Sequence, residues 1–83
     1  MTDKMIKFYG EIKKLLEDYN KGYSKIKNVD INIFGVEIIF ENTCYNAMLK
    51  SIMKLVSEYS FMMYVTTDYC GVKPNEFKFM IHD

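Results

Sequence analysis

His82 is the one histidine in the chain. Any chemistry that needs a neutral-pH base or a nitrogen ligand must pass through it. With Cys70 and Asp83 it makes three potential metal ligands. A structural zinc site takes four, and the spacing from Cys70 to His82 fits no finger or ribbon. As a base for Cys44 or a serine, His82 would act from the end of the sequence, where strands fray. The expectation is a solvated histidine, no metal and no catalytic residue. Cys44 falls near the start of a predicted helix, where the dipole favours a thiolate. A small semi-buried side chain is the simpler role. With no export-type leader in the sequence, both cysteines are expected as reduced thiols in a cytoplasm. Folding then needs no zinc. Glu17 and Asp18 are adjacent carboxylates, but both fall on the solvent side of a helix. Asp68-Tyr69-Cys70-Gly71 holds a single glycine and is no phosphate loop. No cofactor is implied.

Cations are the other chemical resource. All eleven basic residues are lysines. Without arginine, bidentate reading of guanine or phosphate is lost. Residues 1–27 carry seven lysines and four acids, a net of +3, and residues 28–83 carry four and seven, a net of −3. The whole is neutral, which argues against a bulk polyanion partner. Lys13, Lys14, Lys21, Lys25 and Lys27 form the densest basic set, with Tyr23 among them. They support a second reading, a nucleic-acid-binding regulator using the first helix and the segment after it.

These residues must be held by elements, and the elements follow from periodicity. Eighty-three residues, 49% of them hydrophobic, are expected to make one domain, 1–83. Met5, Phe8, Tyr9, Ile12, Leu15, Leu16 and Tyr19 recur at helical spacing and predict a helix over 2–20. Gly10 interrupts it at an exposed position, where it is tolerated. Tyr45, Met48, Leu49, Ile52, Leu55, Val56 and Tyr59 predict a second helix over 43–59. Val29 to Glu41 is the longest β-type run. Its apolar residues alternate at Val29, Ile31 and Ile33, change phase at Phe34-Gly35, and alternate again at Val36, Ile38 and Phe40. A tight hairpin there would pair Ile33 with Val36, Ile31 with Ile38 and Val29 with Phe40. A single strand with a glycine bulge would give the same phase change. Strands are further predicted over 61–67 and 76–82.

The order is α-β-β-α-β-β. The fold class is therefore α+β, with two helices packed on one face of a four-stranded antiparallel sheet. The helix stripes superpose at an offset of forty residues. Val36, Ile38 and Phe40 superpose on Phe77, Phe79 and Ile81 at forty-one. Two related helix-hairpin units would explain this, and so would convergent amphipathicity. No apolar run approaches the ~20 residues of a membrane span.

The other face of the sheet carries the functional expectation. It should present Ile39, Met62, Tyr64 and Met80 among the acids Glu37, Glu41 and Glu76. Acids repel a phosphate backbone, whereas exposed apolar groups suit a protein contact. These seven residues are the expected partner-binding set, for a target protein or a second copy in a homodimer. An acidic rim favours a partner with lysine or arginine at its edge. Lys, Ile, Asn, Tyr and Phe are abundant. Their codons are AT-rich, which points to an AT-rich cellular or viral genome. The expectation is a small non-catalytic, cytoplasmic protein-interaction module, of the kind a phage or mobile element uses as an anti-defence inhibitor of a larger host protein. A small enzyme built around Cys44 or Cys70 is the third reading.

Overall fold

Thr2 starts the first helix by capping it. Its Oγ1 accepts the backbone N–H of Met5 at 3.1 Å, satisfying one of the donors that a helix N-terminus leaves free. The computed structural model describes residues 2–19, 25–41, 46–66 and 76–83. They form α1 (Asp3–Tyr19), β1 (Lys25–Asn32), β2 (Gly35–Glu41), α2 (Asn46–Glu58), β3 (Met62–Thr66) and β4 (Glu76–His82). The strands make one antiparallel sheet in the order β1-β2-β4-β3. The expected α+β architecture is present.

Both helices turn their stripes onto the same sheet face. Met5, Phe8, Ile12 and Leu16 of α1 join Met48, Ile52 and Val56 of α2 in one core. The sheet supplies Val36, Ile38, Phe40, Phe79 and Ile81. Phe8 closes the seam between the helices, edge-on to Tyr59 at 5.2 Å and to Phe61 at 5.1 Å. The Tyr59 hydroxyl donates to Glu11 Oε2 at 2.6 Å, tying α2 to α1. Gly10 is exposed, and a Cβ there would meet nothing within 4 Å, as expected of a tolerated glycine.

The end of α2 passes into β3 through a Schellman motif. Phe61 N–H donates to the Val56 carbonyl and Ser60 N–H to that of Ser57, each at 3.0 Å. Ser60 holds the left-handed position, with φ 56°. Val56 and Phe61 are both buried, which is the apolar contact that accompanies this cap.

The first hairpin departs from expectation. Its turn is Ile33-Phe34, and Asn32 pairs with Gly35. Ile31 therefore faces Val36 and Val29 faces Ile38, two residues away from the expected register. Asn32 sets the turn, because its Oδ1 accepts the Phe34 N–H at 2.8 Å. Ile33 is consequently 82% exposed rather than internal. Gly35 has φ 138°, and a Cβ there would lie 2.0 Å from the Ile81 carbonyl oxygen. No other residue type fits.

β1 also starts at Lys25, four residues before the predicted 29. A bulge between Ile26 and Asn28 makes this possible. Lys27 is the extra residue, so Ile26 and Val29 share the inner face although three positions apart.

Candidate partner-binding face

The outer face is built from cross-strand rows. Asp30, Glu37, Met80 and Tyr64 form one, and Asn28, Ile39, Lys78 and Thr66 the next. In the third, Glu41 lies directly opposite Glu76. Like charges so placed destabilise a sheet. The bulge answers this by bringing Lys27 Nζ to 2.7 Å from Glu76 Oε2. Lys78 Nζ stands 3.4 Å from Glu37 Oε1.

Accessibility on this face follows strand position. β3 is an edge strand, and Met62 and Tyr64 are 63% and 53% exposed. β4 is flanked on both sides, so its outward side chains sit between neighbouring rows. Met80 and Glu76 are accordingly buried, at 5% and 4% exposed, although the sequence pattern places them on a solvent face. Ile39, Glu37 and Glu41 are half-buried. The face therefore offers fewer contact groups than expected. The expected acidic rim is also compensated, because Glu37 and Glu76 each have a lysine partner.

A groove of about 340 Å³ crosses the face, lined by Phe34, Glu37, Tyr64, Thr66, Lys78, Met80 and His82. Phe34 reaches it from the hairpin turn and is exposed. Periodicity could not find this residue, since it read Phe34 only as part of a turn. His82 is not a frayed, solvated end. It belongs to β4, is half-buried, and sets its ring against Tyr64 at 5.7 Å between centroids. Among the described residues, Thr66 Oγ1 is buried with no hydrogen-bond partner.

The basic set is not brought together in the same way. Lys13 and Lys27 line a recess between α1 and β1, but Glu17 shares it. Lys13 Nζ lies 5.2 Å from the centroid of the Tyr9 ring, and Lys27 is engaged by Glu76. Lys14 is exposed. Lys21 and the side chain of Lys25 lie outside the described residues, as do Cys44 and Cys70. Among the described residues no three of His, Cys, Asp and Glu are grouped to hold a metal ion. No helix among them is long and apolar enough to cross a membrane. Comparison with protein-family models, curated proteins and solved structures finds no match.

Proposed function

We propose that the chain is a small non-catalytic protein-interaction module that works in the cytoplasm and binds a larger protein through its outer sheet face. The observation that carries this reading is the exposure of Met62 and Tyr64 on the outer face, where Tyr64 and Phe34 line a groove that no helix of the described chain covers. Methionine adapts to a partner's shape and tyrosine supplies a rigid amphipathic anchor. Met80 gives the groove an apolar floor. With Glu37 and Glu76 already paired, the partner is held by apolar burial in the groove more than by basic groups at its edge. The effect on the target is inhibitory, by occupation of its surface. An anti-defence role in a phage or mobile element fits the abundance of amino acids whose codons are AT-rich.

The test compares the wild-type chain with Tyr64→Ala and Met62→Asp for capture of a defined partner from its host and for melting temperature. A central anchor is expected to lose about 2 kcal/mol of binding, roughly thirtyfold in affinity, with little change in melting. Variants that bind normally but melt early would place these side chains in the folding core and end the proposal.

A further inference from the structure

The two edges of the sheet differ in kind. At one edge, β1 carries Lys25, Lys27, Asn28 and Asp30 and is broken by the Lys27 bulge. Charges and bulges are the devices that keep an edge from pairing. At the other edge, β3 reads Met-Met-Tyr-Val-Thr. It has no charge, no proline, and no irregularity in its register with β4. As an edge strand it turns alternate N–H and C=O groups away from the sheet. Val65 points to the helix side, opposite Phe79, yet is 53% exposed, and no helix or strand among the described residues covers it.

The helix beside this edge matches it. α2 contacts α1 on one flank and β3 on the other. Glu58 and Tyr59 mark the α1 flank, where they line a cleft with Asp3, Lys4, Lys7 and Glu11. Met53 lies about 140° round the helix from Glu58 at ~100° per residue, so it faces the β3 side. It is exposed, and Asn46, Leu49 and Ser57 stand beside it, with Lys50 next to it on the solvent side.

We infer that β3 is an assembly edge, and that two copies of this chain join β3 to β3, antiparallel about a two-fold axis at Tyr64, into one continuous sheet. In that register Met62 faces Thr66, Met63 faces Val65 and Tyr64 faces its own copy. Every exposed apolar side chain of the strand gains a neighbour on its own face. Self-complementarity is what singles out a second copy as the occupant. The strand opposes no like charges when paired with itself, the chain is neutral overall, and a two-fold axis brings the exposed Met53 of α2 towards its equivalent. Five residues and one helix flank make an interface below the usual ~1,600 Å², the class of weak or transient association. This goes beyond the face reading and does not depend on it.

The experiment is sedimentation equilibrium from low to high micromolar concentration on wild type, Val65→Lys, Met53→Lys and the control Ile6→Lys. Ile6 is equally exposed but lies on α1. Circular dichroism checks each fold. Wild type and Ile6→Lys are expected to dimerise, and the two edge variants to lose at least about tenfold in association, since each buries an unpaired charge. Amide exchange in Met62–Thr66 should slow as concentration rises. A wild type that stays monomeric at about 1 mM overturns the inference, as do edge variants that dimerise like the control. None of these substitutions touches Met62, Tyr64 or Phe34. Loss of self-association with target binding intact therefore separates this inference from the proposed function.

Discussion

Ile38 and Phe79 face each other across the β2–β4 ladder, forty-one positions apart in the chain (79 − 38). Val36 pairs with Ile81 and Phe40 with Phe77. A half-turn about the Ile38–Phe79 pair therefore exchanges positions that match at that same offset. With the strand order β1-β2-β4-β3, the same half-turn exchanges the position of β2 with that of β4 and the position of β1 with that of β3. The core converges on this pair: Ile38 is fully buried, and the Phe79 ring lies 5.0 Å from that of Phe40.

Truncation here should be severe. Phe79→Ala is expected to cost about 3–5 kcal/mol, and Ile38→Val about 0.5–1.5 kcal/mol. The first is comparable to the whole stability of a small domain. Urea unfolding measures both, and an unchanged midpoint for Phe79→Ala would show the axis is not the core.

The two described glycines should respond with opposite signs. Gly35→Ala drives a Cβ into the Ile81 carbonyl at a backbone angle closed to side chains. A loss of more than about 2 kcal/mol is expected. Gly10→Ala meets open space on a helix and should gain up to about 1 kcal/mol. A neutral Gly35→Ala in the same urea titration would contradict the turn described above.

Ser60 occupies a position that glycine fills without strain. Ser60→Gly is expected to stabilise the fold by about 0.5–1 kcal/mol, with the Schellman hydrogen bonds intact. A fall in the chemical midpoint would mean that the serine side chain contributes more than its backbone angle costs.

The Glu11 carboxylate, which accepts the Tyr59 hydroxyl, pushes that phenol from 10.0 up to about 12, with help from burial. The fold thus favours the protonated phenol. This contribution to stability is complete below pH 10 and is lost as pH rises towards 12. Glu11→Gln should return Tyr59 towards 10 and remove that dependence. Site-resolved NMR titration of the Tyr59 ring decides the point; a phenol unmoved by the substitution would exclude Glu11 as the cause.

Element order was legible because each helix has one apolar stripe and the second and fourth strands alternate cleanly. The start of β1 was not. The Lys27 bulge sets Ile26 and Val29 three positions apart, so a period of two is visible only from Val29 onward. The turn was misplaced for a related reason. Ile33 continues the apolar alternation, but the Asn32 side chain closes the chain one residue earlier. On the outer face, composition was readable and accessibility was not. Met80 and Glu76 are buried because β4 is an inner strand, and strand order is a property of the whole sheet. Nor does local pattern pair Lys27 with Glu76, forty-nine residues away.

The Lys27 bulge also sets a limit on growth. A building block with two reactive ends polymerises, and one with a single reactive end stops when two have met. A sheet open at both edges is the first kind, and fibres are its product. With one edge spoiled by an extra residue, a chain that assembles through β3, as inferred above, is the second kind. Deleting Lys27 would restore the alternation from Ile26 to Val29, remove the cation that offsets Glu76, and convert a terminating unit into a propagating one. Electron microscopy of that deletion should find filaments where the parent chain gives none.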